Sequence, residues 1–212
     1  MESTETPKSR KGRLTRSAIL HEAVQLASVH GLEGLSIGQL AEATGMSKAG
    51  LFAHFGSKEE LQLATVHAAR GIFVDEVVVP SLEAPEGLAR LVRVIQEWFR
   101  YGCRGVFRGG CFFAAASAEF DGRPGPVRDS VAAARRDWMQ GLAQTIGQAQ
   151  AQGQLDPAVD PQQLAFEIDA LFLAANSLHQ LDGDPAAFER ARQGIRARLE
   201  ACLTAGTDLE AL

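Results

Sequence analysis

Residues 36–58 read SIGQLAEATGMSKAGLFAHFGSK, and this stretch decides the fold. Ser36 and Gln39 have the spacing of a capping box, in which a hydroxyl and a side-chain amide satisfy the first turn of a helix. Ile37, Leu40 and Ala41 follow at the intervals of one buried helix face. Gly45 is the stop, because glycine takes the left-handed conformation of a helix C-terminus without penalty. Ser47 caps a second short helix whose apolar side is Leu51, Phe52 and Phe55, and Gly56 breaks it. Ser57 with Glu60 repeats the capping spacing and opens a longer helix through Leu61, Ala64 and Ala68, with Pro80 as its predicted end.

Upstream, Leu20, Ala23, Val24 and Ala27 recur with helical period and predict a helix over 14–30, closed by Gly31 and Gly34. Two short helices joined by a glycine turn and flanked by longer ones form the helix-turn-helix arrangement, in which the second short helix enters the DNA major groove. Small residues at Ala49 and Gly50 would let its first turn approach base edges, and Lys48 supplies a charge there. Amides at the start of the following helix carry partial positive charge, and Lys58 adds a formal one, so that terminus suits a backbone phosphate. Such a contact positions a protein without reading sequence.

The charge distribution agrees with a local DNA-facing patch rather than a basic protein. The chain of 212 residues is 46% hydrophobic and carries a formal net charge of -5, which excludes disordered and collagen-like classes. Between Lys8 and Lys58, however, seven Lys/Arg stand against Glu22, Glu33 and Glu42, a balance of +4. Five of those cations, Lys8, Arg10, Lys11, Arg13 and Arg16, form a basic N-terminal arm whose last expected DNA contact is Arg13. No run reaches the ~18 apolar residues of a membrane span, and no apolar leader precedes the arm, so a cytoplasmic protein without membrane contact is expected. Cys103, Cys111 and Cys202 are scattered without metal-ligand spacing, which fits a reducing compartment and neither a metal nor any other cofactor.

Downstream of residue 82 the periodicity remains helical. Leu88, Leu91, Val92, Ile95, Trp98 and Phe99 mark a fifth helix, and the apolar run 111–120 a sixth. Val127, Val131, Ala134, Trp138, Leu142 and Ile146 mark a seventh. Asp160-Pro161 caps an eighth with Leu164, Ile168, Leu171, Phe172, Ala175 and Leu178 inward, and a ninth carries Phe188, Ala191, Ile195, Leu199 and Cys202. The expected fold is therefore all-α with about nine helices: a flexible basic arm over 1–13, a helix-turn-helix domain over 14–60, and a larger helical bundle over 61–206.

The segment from Ser17 to Leu63 resembles the TetR family of bacterial transcriptional regulators. The resemblance rests on the glycine after helix one, Ser-Ile at the start of helix two, the turn pair Ala43 and Gly45, and the close HF-x-SKE-x-L at residues 54–61. It implies a homodimeric repressor that binds a palindromic operator in double-stranded DNA and releases it when a small molecule enters the C-terminal bundle. Carried over by position, the DNA contacts would be Ser36, Ser47, Lys48, Ala49, Gly50, His54 and Lys58. Position 52 is usually tyrosine in the family; Phe52 implies a lost phosphate hydrogen bond, worth ~1 kcal/mol, and a retained packing role.

The same resemblance places an inducer cavity, for a largely apolar ligand, among Trp98, Phe99, Phe112, Phe113, Trp138 and Phe172, with Tyr101, Asn176 and His179 as orienting polar groups. Ile168, Leu171, Ala175, Phe188, Ile195 and Leu199 are the expected dimer interface. Alternatives are a ligand-blind DNA-binding dimer and a thiol-based redox regulator using Cys103 or Cys111 beside Arg104 and Arg108. An enzyme is disfavoured: no HExxH, GxSxG or GxGxxG occurs, leaving only isolated acids such as Glu119, Asp121 and Asp169.

Overall fold

The computed structural model describes residues 7–209, with side chains from Thr15 onward. Among the described residues it contains no strand, only an isolated bridge between Leu155 and Leu203, and nine helices once contiguous segments are joined. They are α1 (Pro7–His30), α2 (Ile37–Thr44), α3 (Lys48–Phe55), α4 (residues 58–81), α5 (Leu88–Arg104), α6 (Phe112–Phe120), α7 (Pro126–Ala151), α8 (Pro161–Asp182) and α9 (Ala187–Glu200). The all-α architecture is as the periodicity predicts. None of these helices is long and apolar enough to cross a membrane.

Two boundaries differ from expectation. Helix α1 begins at Pro7 rather than at residue 14; proline at a helix start is favoured because its missing N–H would have no intrahelical partner there. Residues 1–6 of the expected arm lie outside the described residues, as do the side chains of Lys8, Arg10, Lys11 and Arg13. Pro80 does not end α4. Lys58–Phe73 runs into a π-helical stretch, Val74–Val78, where the Val79 N–H bonds to the Val74 carbonyl. The chain then continues through Val79–Ser81. A proline crowds the carbonyl four residues before it, and one widened turn takes up that misfit without breaking the helix.

The chain divides into two compact units. The first joins the described residues up to Arg70 with Phe107–Val131; the second joins Gly71–Val106 with Ala132 onward. The core of the first is built from Ile19, Ala23, Val24 and Ala27 of α1, Leu40 of α2, Leu51 and Phe55 of α3 and Leu61 of α4, all buried. In the second, α8 and α9 pack along their length, closing over Leu164, Ile168, Phe172, Ala175, Phe188, Ala191, Ile195 and Leu199. Most of the residues expected at a dimer interface are packed within this unit. Ile168, Ala175, Phe188, Ile195 and Leu199 are used up inside one chain, and Leu171 packs onto Gly194, where an added Cβ would stand 3.3 Å from it. A hydrophobic period records that a face is buried, not which chain buries it.

Candidate nucleic-acid interface and aromatic core

The helix-turn-helix pair is assembled by local chemistry. Ser36 caps α2 by accepting the Gln39 N–H at 3.2 Å, and its hydroxyl donates to the Gln39 side-chain oxygen at 3.0 Å. Gly45, at φ +65°, ends that helix in the left-handed region, and the Met46 N–H returns to the Ala41 carbonyl at 3.1 Å. Ser47 caps α3 by accepting the Gly50 N–H at 3.1 Å. With Leu51 and Phe55 buried, α3 is fixed against the unit by one side and offers the other to solvent. Arg16 of α1 lays its guanidinium over the Phe55 ring, 4.9 Å from the centroid, so a cation also sits at the far end of α3.

The expected contact residues fall on this exposed side. Ser36, Ser47, Lys48, Ala49, Phe52 and Lys58 are exposed, while Gly50 and His54 are half-buried. Ser36 and Lys48 converge over Gly38: a Cβ there would meet Ser36 Oγ at 3.8 Å and Lys48 Cε at 3.8 Å. Arg13 lies on α1, with its side chain outside the described residues. Phe52 corrects the packing role expected of it. The residue is 51% exposed, because Leu51 and Phe55 occupy the buried side of α3 and Phe52 lies on the other.

Lys58 is less free than the sequence implies. Its ammonium pairs with the Glu33 carboxylate at 2.9 Å, and Gln62 Nε2 donates to the same carboxylate at 3.0 Å and to the Leu32 carbonyl at 3.0 Å. Hydrogen bonds from Lys58 first, and then Gln62, hold the Glu33 carboxyl below its ordinary pKa. The first turn of α4 also carries Glu59 and Glu60, and Ser57 already accepts the Glu60 N–H at 3.1 Å. The terminus therefore carries an ammonium already paired with Glu33, beside two further acids, Glu59 and Glu60.

The second unit contains an aromatic core. Trp98 stacks on Phe172 with centroids 3.8 Å apart, and Trp138 meets Trp98 edge-on at 4.6 Å. Phe73 closes on Trp138 at 5.0 Å and on Tyr101 at 5.4 Å. Phe99 contacts Phe172 and Phe188, and His179 lies against Phe188 at 5.1 Å. The structure thus brings Trp98, Phe99, Tyr101, Trp138, Phe172 and His179 into one cluster, with Asn176 buried on the same helix as Phe172. Phe112 and Phe113 belong to the first unit, packed with one another at 5.3 Å and, through Phe112, with Phe107 at 6.0 Å. Asp169, also buried, receives both Arg135 guanidinium nitrogens at 3.1 and 2.7 Å and the Trp138 indole N–H at 3.2 Å. Its charge is wholly engaged in structure. The Trp98 indole N–H is buried with no partner among the described residues.

The thiols are dispersed: Cys103 is exposed, and Cys111 and Cys202 are buried. Burial pushes the Cys202 thiol up, with Arg198 opposing, although the Arg198 guanidinium donates to its sulfur at 2.8 Å.

Sequence reasoning missed three features of the interface. In the sequence Glu33 reads only as an acid, Arg16 only as part of the arm, and Glu119 as an isolated carboxylate. Glu119 in fact accepts the backbone N–H of Leu32 at 2.7 Å and of Glu33 at 2.9 Å. The sequence signal nearest to it is the glycine at position 31, which takes φ +80° just before those two amides.

A capped, glycine-hinged helix pair with a small, basic and exposed second helix, on an all-α scaffold, defines the class: a helix-turn-helix protein. Known proteins narrow it further. Residues 19–65 match the family model for bacterial regulatory proteins of the tetR family, and residues 87–195 match the tetracyclin repressor-like C-terminal domain. The chain belongs to the TetR family of transcriptional regulators. It is 46% identical over 83 residues to the HTH-type transcriptional repressor AcnR of Corynebacterium glutamicum, a match over 39% of this chain and 41% of AcnR. The chain therefore spans less than half of that relative's length. A TetR transcriptional regulator of Chloroflexus aurantiacus superposes with a TM-score of 0.85 at 26% identity, over 92% of this chain and 98% of that one. AibR, solved in complex with isovaleryl coenzyme A and operator DNA, shares the fold at a TM-score of 0.68 and 24% identity, over 89% of this chain and 98% of AibR.

Proposed function

We propose that the chain is a homodimeric repressor that grips a palindromic operator with α3 and lets go when a small, largely apolar molecule occupies the aromatic core of its second unit. The observation that carries this reading is the exposed side of α3, where Ser47, Lys48, Ala49 and Phe52 face solvent on a helix capped at both ends. Lys48 would take a phosphate or a guanine edge. Ala49 and Gly50 allow close approach, and the exposed Phe52 ring suits a thymine methyl. Ser36, Lys58, His54 and Arg13 would hold the backbone around them.

Dimerisation follows from geometry of recognition. Two recognition helices read successive major grooves about 34–36 Å apart, which requires two copies of the chain. On α8 the apolar residues left in solvent are Phe166, Leu178 and Leu181, and these, rather than the buried set, are the surface we assign to the second copy. The partnerless indole N–H of Trp98 favours a ligand carrying a hydrogen-bond acceptor as well as an apolar body. The AibR complex, a relative holding both a small molecule and operator DNA, supports the pairing of the two activities in one chain.

The test is selection of duplexes from a random library with the full chain, followed by anisotropy titration of the recovered duplex and a scrambled control at several salt concentrations. The reading expects at least ~10³-fold preference for the selected duplex. Equal affinity for both overturns it.

A further inference from the structure

Glu119 lies on α6, far along the chain from the reading head, yet its carboxylate is spent on the turn between α1 and α2. Its two oxygens accept the Leu32 N–H at 2.7 Å and the Glu33 N–H at 2.9 Å across a sequence separation of 87 and 86 residues. The turn is shaped to receive it. Gly31 sits at φ +80°, and a Cβ there would stand 2.8 Å from the Glu119 Oε1.

The segment leading into α6 is fastened to α1 independently. The Arg108 N–H donates to Gln25 Oε1 at 3.0 Å, the Gly109 N–H to Ser28 Oγ at 3.1 Å, and the Arg108 guanidinium to Glu22 at 3.4 Å. Gly109 presses so closely on α1 that a Cβ would stand 1.8 Å from the Ser28 carbonyl oxygen. Residues 107–120 thus grip α1, and Glu119 reaches past its end to the turn.

We propose that Glu119 is a positioning residue for DNA binding, setting through Glu33 the place of the Lys58 ammonium at the start of α4. The physical chain is short. Glu119 fixes the backbone of Glu33; the Glu33 carboxylate holds Lys58 at 2.9 Å and Gln62 at 3.0 Å; Arg123, three residues beyond α6, approaches the same carboxylate at 4.0 Å. Lys58 follows directly on the Gly56-Ser57 turn that ends α3. A Lys side chain otherwise has high rotamer entropy to lose on meeting a phosphate, and an ammonium held by one carboxylate keeps donors free for a second anion. The inference rests on the proposed operator binding, with Lys58 as a phosphate contact.

The experiment uses the full chain and the duplex selected by it. Glu119→Gln keeps the size of the side chain but replaces one acceptor by a donor facing a backbone N–H. Loss of one charge-assisted hydrogen bond sets the scale: affinity should fall by about tenfold. The slope of log affinity against log salt should flatten by about 0.9, one phosphate contact. Lys58→Ala should do the same, and Glu119→Gln/Lys58→Ala should be no weaker than Lys58→Ala alone, because both act on one contact. A merely structural role would lower the melting temperature while leaving the salt slope unchanged and the two losses additive; that result overturns the proposal, as does wild-type affinity in Glu119→Gln. If the variant fails to fold, amide exchange of the wild-type chain decides. The Leu32 and Glu33 amides should exchange slowly despite the exposure of Glu33, and unprotected exchange at both overturns it. Failure of the wild-type chain to select any duplex would instead sink the operator-binding reading.

Discussion

Ser47 has two tasks that one substitution can separate. Its Oγ accepts the Gly50 N–H at 3.1 Å, capping α3, and it stands exposed at the end of the helix that we assign to the major groove. Aspartate is as good a cap as serine, so Ser47→Asp should leave stability within ~0.5 kcal/mol of wild type. Ser47→Ala should cost ~1 kcal/mol by exposing the Gly50 amide. For binding the order reverses. An aspartate carboxylate about 4 Å from a phosphate repels it by ~1 kcal/mol in water and ~4 kcal/mol at the effective dielectric of a protein surface. Taking the middle of that range, Ser47→Asp should weaken operator binding ~10- to 150-fold. Ser47→Ala, which loses one neutral hydrogen bond, should cost only about fivefold. Urea denaturation gives the stabilities and anisotropy on the selected duplex gives the affinities. If Ser47→Asp binds as tightly as wild type while remaining folded, the start of α3 does not face phosphate, and the placement of the recognition helix is refuted.

Other expectations follow from particular contacts. Asp169→Ala removes the buried carboxylate that receives the Arg135 guanidinium and the Trp138 N–H, and should cost ~3 kcal/mol in urea denaturation; a loss below ~1 kcal/mol would show that the network is incidental. Phe52→Tyr places a hydroxyl on an exposed ring and should tighten operator binding by ~1 kcal/mol, with unchanged affinity arguing that no phosphate lies within reach. Leu181, 83% exposed, should tolerate Leu181→Glu without loss of thermal stability while weakening self-association in sedimentation equilibrium, whereas Ile195→Glu should destabilise the single chain itself. The Glu33 carboxyl, lowered chiefly by its hydrogen bond from Lys58, contributes stability above its unfolded pKa that is lost as pH falls through the lower folded value. Carbon-13 titration should find it below the ordinary carboxylate range in wild type and nearer to it in Lys58→Ala.

Most of the helix-turn-helix was legible because its determinants are local. Ser36 with Gln39, Gly45, and Ser47 with Gly50 are caps and a turn written within three or four residues, and each forms the bond its spacing predicts. What escaped reading is set by contacts far apart in sequence. Glu119 meets its amides across 87 residues, Asp169 meets Arg135 across 34, and neither pairing leaves a periodic trace. Pro80 misleads for a different reason: proline predicts a stop, but a π turn beginning six residues before it absorbs the clash. Phe52 and the α8–α9 set show the two limits of apolar character as a guide. Apolar character put Phe52 inside, where the structure leaves it half in water, and it put Ile168 and Ile195 between chains, where one chain already buries them. The net charge of -5 likewise concealed a local balance of +4 over the stretch that carries α1 to α3.

The central claim is that α3 is the element that enters the groove, and amide chemical-shift mapping of the isotope-labelled chain against the selected duplex tests it most directly. The account predicts that the largest changes fall on the residues from Ser47 to Phe52, with smaller ones at Ser36 and Lys58, and that the scrambled duplex at matched salt shifts only the phosphate-contacting positions. Shifts centred on α8 or on the 126–151 helix, with α3 unmoved, would contradict it.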